Sequence, residues 1–578
     1  MSDYKTSYNR WLESPLVDDE TKKELISIKD NEKEIEERFY RDLEFGTAGM
    51  RGTLGAGTNK MNIYMVRKAS QGVATHIKSL GAQYCKKGVL IGYDTRNFSR
   101  VFAEETAKVL IANGIFVYLF DTVHSVPEVS FGIRTLGCSA GVMITASHNP
   151  KEYNGYKVYG SDGGQLPPDA ADVVIKAINS FDIFDDIKIC SLEDAKNSGM
   201  LKIVGKELNE QFLDTIQKLQ LNPDAVLKVS DNFNIIYTPF HGTGSRPVQA
   251  ILKRIGFNNL LVVKEQDTED GNFPTVKSPN PEDKEGFMLA IEMAKENNVD
   301  LIIGTDPDCD RVGIVVRDAN GVYQTLTGNQ TGALLCEYIL ESKKKSGTLP
   351  ENGVIIKTIV TTELATAIAK AYGVEIMNVL TGFKYIGEKM TEFENTNSHT
   401  YLLGFEESYG YLAGTHACDK DGVVASMLIA EMAAYYKNLG MSLYEVMQNI
   451  YKKYGYYQEK TVSFTMPGKD GMEKMAEILK NVRNNPPKEV AGKKVISMWD
   501  YQTQIITNQD GTTEKIDGLP KSNVMRFNLD DEKTYFILRP SGTEPKIKFY
   551  IGSNAQSSEA AEKNIDDVLK DLKKQLEL

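Results

Sequence analysis

Ser147 is the side chain in this sequence best placed to form and break a covalent bond. It ends the run Gly141-Val-Met-Ile-Thr-Ala-Ser-His-Asn-Pro150, in which Val142, Met143 and Ile144 read as a buried strand. Asn149-Pro150 forces the chain out by an extended loop, because the proline denies its predecessor the αR region. A hydroxyl at such a strand end caps a turn or acts as a nucleophile. A second group, Asp306, Asp308 and Asp310, follows the apolar run Leu301-Ile-Ile303. Its i, i+2, i+4 spacing puts three carboxylates on one side of an extended chain. Carboxylates this crowded call for a cation, and all-oxygen ligands suit Mg²⁺ better than Zn²⁺. An EF-hand does not fit, since the loop positions that require Gly and Glu hold Arg311 and Arg317. A solvated acidic loop is the other reading.

Two further stretches suit anions. Arg539-Pro-Ser-Gly-Thr-Glu-Pro545 offers a bidentate guanidinium fork together with hydroxyl and backbone donors from Ser541, Gly542 and Thr543, with a plain turn as the alternative. Phe45-Gly-Thr-Ala-Gly-Met-Arg-Gly52 is a glycine turn or a loop that aims Arg51 at an oxyanion. Lys157 follows the serine in Tyr153-Asn-Gly-Tyr-Lys157, where Asn154-Gly155 is expected to turn the chain back toward it. Near a metal and other cations a lysine loses basicity and can act as a general base, although most lysines at such positions are simply on the surface. His148 is expected to point away from Ser147, because neighbours in an extended chain face opposite sides, which leaves it to position phosphate or the loop. In Gly404-Phe-Glu-Glu-Ser408, the Glu and Ser side chains can grip vicinal sugar hydroxyls. Neither GxSxG nor GxxxxGK[ST] surrounds the serine, which counts against hydrolase and nucleotide-kinase readings.

The elements that must position these groups repeat. A pattern of strand, loop, helix, glycine, strand occurs at Gly88–Phe120, at Ile235–Val263 and at Val354–Met377. Each copy reads as a βαβ unit with a glycine C-cap, so three similar α/β domains are expected. Residues 17–43, rich in Glu and Lys, suggest one or two surface helices. After about residue 452, short alternating strands mix with helices, which predicts a smaller α+β domain. At 578 residues the chain suits about four domains, drawn here at 1–205, 206–322, 323–451 and 452–578. With 41% apolar and 25% charged residues it is an ordinary globular composition, and a net charge of −12 argues against nucleic acid as a partner. Six scattered cysteines without CxxC pairing exclude a disulfide framework and a structural zinc site. The N-terminus lacks a signal peptide and no run reaches about 18 apolar residues, so a cytoplasmic location away from membranes is expected.

Taken together, the serine, triple-aspartate, GFEES and RPSGTEP stretches resemble the α-D-phosphohexomutase family of phosphoglucomutases and phosphomannomutases, over about Phe45 to Tyr550. The resemblance implies three α/β domains with mixed sheets and a smaller C-terminal α+β domain around a central cleft. It implies a phosphorylated Ser147, also a ligand of Mg²⁺ with Asp306, Asp308 and Asp310, and Lys157 as acid/base, with Arg311 beside the transferring group. It assigns the sugar to Glu406 and Ser408, the Thr381-Gly382-Phe-Lys384 loop to substrate, and the Arg539–Thr543 loop to the phosphate that is not transferred. The implied reaction interconverts glucose 1-phosphate and glucose 6-phosphate through glucose 1,6-bisphosphate, in a monomer or dimer. Phosphomannomutase, phosphopentomutase, a metal-dependent sugar phosphatase and a non-catalytic sugar-phosphate binder are the alternatives. Mannose-using bacterial members carry a histidine where this chain has Gly410, which weakens an expectation of dual specificity.

Overall fold

Strands buried on both faces read as unbroken apolar runs, and Val89–Tyr93, Ala140–Ile144, Leu301–Thr305 and Gly353–Thr358 are buried along their whole lengths. The structure, a computed structural model, describes residues 4–46, 49–466, 468–540 and 546–578. Four sheets organise them. The first runs Phe45–Gly46, Gly49–Thr53, Tyr153–Gly160, Ala140–Ile144, Val89–Tyr93, Val117–Phe120, Leu201–Val204. Its last four strands are parallel and the others antiparallel. The second runs Tyr323–Leu326, Val312–Arg317, Leu301–Thr305, Asn234–Thr238, Asn259–Val262, again mixed. The third runs Glu375–Val379, Gly353–Thr358, Thr400–Glu406, Gly410–Leu412, with only the last pair antiparallel. The fourth, after Tyr456, is antiparallel throughout.

Each expected βαβ unit is present. Helices Ser99–Ala112, Ser245–Arg254 and Leu364–Tyr372 join parallel neighbours, and the glycine after each has positive φ. Residues 17–43 form two helices, Asp19–Ser27 and Glu32–Phe39, as expected; a third, Tyr4–Glu13, precedes them, and the three close a small core around Trp11, Leu25 and Phe39 rather than lying only on the surface. Trp11, upstream of the charged stretch, supplies the aromatic centre, edge-on to Phe39 and Tyr64.

One continuous apolar cluster threads the first three sheets, taking in Leu90, Ile303 and Ile355. Its keystone is the helix Gly422–Asn438, apolar on nearly every side and buried along almost its whole length. The helix belongs to the third segment by sequence but packs on the second: Glu431 accepts from the Leu221 N–H, Lys437 pairs with Asp300, and Asn438 donates to the Ala225 carbonyl. The fourth sheet has a core of its own and meets the third through a smaller cluster of Ile359, Val360 and Leu380 against Tyr501, Ile537 and Tyr550.

Candidate active site

Ser147 leaves the C-terminal end of Ala140–Ile144, the end of a parallel strand at which α/β folds build sites. Its backbone sits in the left-handed region at φ 52°, within a turn. The Oγ donates to Asp306 Oδ2 at 2.9 Å and lies 3.2 Å from His148 Nδ1. The expectation for His148 therefore needs correcting: side chains alternate only along extended backbone, and the turn at Ser147 swings the imidazole to the same side as the hydroxyl. Burial, reinforced by Arg311 and Arg51, holds the His148 pKa well below its ordinary value, so the ring is neutral and can accept a proton.

Lys157 reaches the aspartates beside the serine by a different route than expected. Asn154 and Gly155 do not turn the chain; they lie inside the strand Tyr153–Gly160, which pairs antiparallel with Ala140–Ile144 so that Lys157 faces Met143. Gly155 is required there because a Cβ would come within 2.5 Å of the Thr145 carbonyl oxygen and 2.9 Å of that of Met50. The buried Lys157 Nζ is 2.8 Å from Asp308 and 3.4 Å from Asp310. Burial pulls its pKa down, but the two carboxylates outweigh burial and the net shift is upward, opposite to the expected depression. In this structure Lys157 is an ammonium and a proton donor.

The three aspartates converge on a turn, not along an extended chain: Cys309 has φ 52°, and Asp306 Oδ1 accepts from the Asp310 and Arg311 N–H groups. One carboxylate oxygen from each falls within 4.8 Å of the others. Burial first, then Asp308 and Asp310, raises the Asp306 pKa well above the carboxylate range. Asp310 goes the other way: burial opposes its ionisation, but Lys420 and Lys157 hold its pKa low. Asp308 Oδ1 and Asp310 Oδ1 are buried without a hydrogen-bond partner. Orphaned anionic oxygens beside an all-oxygen donor set fit a hard cation.

Lys420 is one residue that reading the sequence missed. It precedes the helix Gly422–Asn438 and reaches from the third sheet to Asp310 at 3.0 Å and Asp419 at 3.1 Å. Nothing local in Ala417-Cys-Asp-Lys420 marks it, since its partner lies over a hundred residues away. Its stem passes Gly410, where a Cβ would stand 2.1 Å from the Lys420 Cδ.

Glu406 closes the strand Thr400–Glu406, buried, and its Oε1 accepts from the Gly382 N–H at 2.8 Å, which ties the two expected sugar-side stretches together. Among the described residues Thr381 Oγ1 is buried without a partner, and Ser408 is half-buried in the turn before Gly410–Leu412. Lys384 lies at the start of the helix Phe383–Thr396, its amine 4.8 Å from the Tyr385 ring centroid, and burial lowers its pKa. Arg311 donates to Glu282 at 2.9 Å, and Arg51 donates to Asn149 Oδ1 in the serine loop at 2.9 Å. Arg539 lies on the strand Thr534–Pro540, 3.4 Å from the Tyr550 hydroxyl, while Ser541, Gly542 and Thr543 lie outside the described residues. A second missed residue, Lys548, lies near Arg539: burial and Arg539 lower its pKa, while Glu407 pulls it up. Each of the four sheets thus contributes polar groups to one region.

Models of phosphoglucomutase/phosphomannomutase alpha/beta/alpha domains I, II and III match residues 42–182, 210–321 and 327–454. A phosphoglucomutase of Staphylococcus haemolyticus is 37% identical over 530 residues, covering 92% of this chain and 94% of that protein. One from Staphylococcus aureus strain MRSA252 is 38% identical over 525 residues, 90% of this chain and 92% of its own. Among solved structures, the fold matches Paramecium parafusin, a phosphoglucomutase, in its open form, with TM-score 0.67 and 19% identity over 93% of this chain and 95% of that one. It also matches a phosphoglucomutase/phosphomannomutase family protein of Burkholderia thailandensis, with TM-score 0.64 and 16% identity over 91% and 96%. Among the described residues, no helix is long and apolar enough to cross a membrane.

Proposed function

The chain belongs to the phosphoglucomutase/phosphomannomutase family, and we propose on that premise that Ser147 is the group that carries and returns the phosphoryl. The activity is that of a phosphoglucomutase, a mutase interconverting glucose 1-phosphate and glucose 6-phosphate through a phosphoserine and glucose 1,6-bisphosphate. The observation that carries the assignment of Ser147 is its hydroxyl, 2.9 Å from Asp306, with the Lys157 ammonium on Asp308 across the same turn.

Phospho-Ser147 gives its phosphoryl to the free hydroxyl of glucose 1-phosphate, the bisphosphate turns end for end, and its other phosphoryl returns to the serine. Lys157 and His148 are the proton carriers. In the first transfer Lys157 protonates the departing serine oxygen while the neutral His148 imidazole, 3.2 Å from that oxygen, takes the proton of the attacking sugar hydroxyl; in the return transfer His148 gives its proton to the departing sugar oxygen and Lys157 takes back the proton of the attacking serine. Asp306, Asp308 and Asp310 are the residues to hold Mg²⁺, which when bound offsets charge on the transferring phosphoryl. Arg311, beside this turn, and Arg51, on the serine loop, add positive charge. Glu406 and Ser408 bind sugar hydroxyls, supported by Thr381, Gly382 and Lys384, and Arg539 with Ser541, Gly542 and Thr543 holds the idle phosphate. Of the cuts 1–205, 206–322, 323–451 and 452–578, the first sheet supports the one after 205, but Tyr323–Leu326 belongs to the second sheet and the helix Leu443–Tyr454 runs past 451, so the later boundaries are better drawn after Leu326 and Tyr454. A net charge of −12 counts against nucleic acid as a partner; the reading takes a small-molecule sugar phosphate as partner, no membrane, and cytoplasmic work as a monomer or dimer.

Intact mass and peptide mapping test the cycle. Protein treated with glucose 1,6-bisphosphate is expected to carry one phosphate on the Ser147 peptide and lose it to glucose 1-phosphate. Full activity with no phosphate ever on that peptide would remove Ser147 from the cycle.

A further inference from the structure

The peptide that presents Ser147 is held from behind by one buried guanidinium that the mechanism above does not use. Arg96 follows the strand Val89–Tyr93, and its side chain is fully buried. Its Nη2 donates to the Ser147 and Asn149 carbonyls, both at 2.5 Å, and its Nη1 to those of Pro150 at 2.9 Å and Tyr153 at 3.1 Å. Four carbonyls of one loop therefore converge on a single planar fork. The Asp94 carboxylate, 3.3 Å from Nε, balances its charge, and Asp94 itself accepts from the Ser99 hydroxyl. A lysine could supply the charge but not four donors fixed in a plane.

The fork is covered from the second sheet's side of the molecule. The Phe273 ring lies 5.0 Å from the Arg96 guanidinium carbon, and Gly271 packs so closely on residues 95–97 that a Cβ would fall 2.4 Å from the Asn97 nitrogen. Nearby, Ser278 donates to the remaining carbonyl of the turn, that of His148, at 2.8 Å. Ser147 sits in the left-handed backbone region, which a non-glycine residue keeps only where its surroundings hold it there. The Arg96 bond to the Ser147 carbonyl acts on the very peptide that fixes this conformation.

We propose that Arg96, seated under Phe273, is the positioning residue that holds Ser147 in its transfer geometry, so that contact between the first two domains sets the aim of the nucleophile. The kinetic side of this proposal rests on Ser147 being the phosphoryl carrier; the structural side does not.

The test uses the full chain with Arg96→Lys and Phe273→Leu. Amide hydrogen exchange of the peptide spanning residues 144–153 is expected to speed up about tenfold or more in Arg96→Lys, with the rest of the molecule unchanged. Turnover of glucose 1-phosphate with saturating bisphosphate is expected to fall by about 10²-fold in kcat, the cost of misplacing a reacting group by about 1 Å. KM is expected to stay within about threefold, because the sugar contacts lie on the third sheet. Phe273→Leu is expected to show the same pattern at smaller size, and it decides the matter should Arg96→Lys fail to fold. Unchanged exchange in the 144–153 peptide, or a kcat within threefold of the parent, overturns the proposal. A parent protein inactive on glucose 1-phosphate overturns the mutase reading instead, and the exchange result still judges Arg96.

Discussion

At the scale of residues, the ionic grouping around Ser147 makes two demands that can be measured. Lys157 is held charged because Asp308 and Asp310 face it, and in the proposed mechanism its part is to give up a proton and take it back. Lys157→Ala is expected to lower kcat by about 10² to 10⁴-fold while leaving Mg²⁺ and sugar-phosphate affinity near the parent's, in steady-state kinetics paired with calorimetric binding. A mutant that turns over normally but binds weakly would make Lys157 a substrate contact. Burial, and then the crowding of Asp308 and Asp310, holds the Asp306 pKa well above the carboxylate range, a cost that a bound cation relieves. Mg²⁺ at about a hundred times its Kd should therefore stabilise the protein by about 2.7 kcal/mol through linkage, seen as a raised Tm. Asp308→Asn should abolish that response to Mg²⁺, and an equal Tm shift in the mutant would place the ion elsewhere. Ser147 and the aspartates were legible in the sequence because each follows an apolar strand in a short polar loop. Lys420, Lys548 and Arg96 were not, because their partners are distant in sequence.

At the scale of elements, the chemistry sits where parallel strands end: the serine turn after Ala140–Ile144, the aspartate turn after Leu301–Thr305, and Glu406 at the end of Thr400–Glu406. The apolar runs and glycine caps made these strands and helices readable. The mistakes fell where local chemistry and tertiary demand part company. Asn154-Gly155 has the composition of a hairpin turn, yet it serves as strand because the glycine lets two backbones approach it. The short turn between Thr400–Glu406 and Gly410–Leu412 carries a further prediction. Gly410 is where mannose-using relatives were expected to have histidine, but here the Lys420 stem fills that space. Gly410→His should not gain mannose 1-phosphate activity; it should push Lys420 off Asp310 and cut kcat/KM about tenfold or more for glucose and mannose 1-phosphate alike. A mutant whose preference moves toward mannose would show that the site accommodates both side chains.

At the scale of the whole molecule, the first three sheets share one core and the fourth is joined to them by a smaller contact built partly of buried charge. Glu363 bridges Lys357 and Arg526, and Glu459 accepts from Thr362 and from Asn329. Burial pushes the Glu459 pKa up to about 7, above the ordinary value near 4.3 of an unfolded chain. Because the folded form holds its proton more tightly, this contribution to stability is complete below about pH 4.3 and is lost as pH rises through 7. The fourth domain should therefore melt lower at pH 8 than at pH 6, and Glu459→Gln should flatten that slope in scanning calorimetry. Glu407 is also pushed up to about 7 by burial and Glu406, so Glu407→Gln should flatten the slope further, and a slope undiminished in Glu459→Gln shows that Glu459 is not its source. The four-part architecture was readable from the repeated strand–helix pattern. The interfaces were not, since each one joins side chains that no local pattern pairs.

The helix Gly422–Asn438 also has a consequence for how the protein is made. It is the segment that roofs the second sheet's helices, yet it is translated nearly a hundred residues after that sheet's last strand, Tyr323–Leu326. At about 5 to 20 residues per second, a ribosome needs roughly 5 to 20 s to bridge that gap. For that interval the apolar faces of the helices Pro223–Val229 and Ser245–Arg254 stand uncovered on the nascent chain. The second domain cannot finish folding as it emerges, so a pause or a premature stop between Leu326 and Gly422 leaves an adhesive half-molecule that chaperones must shield.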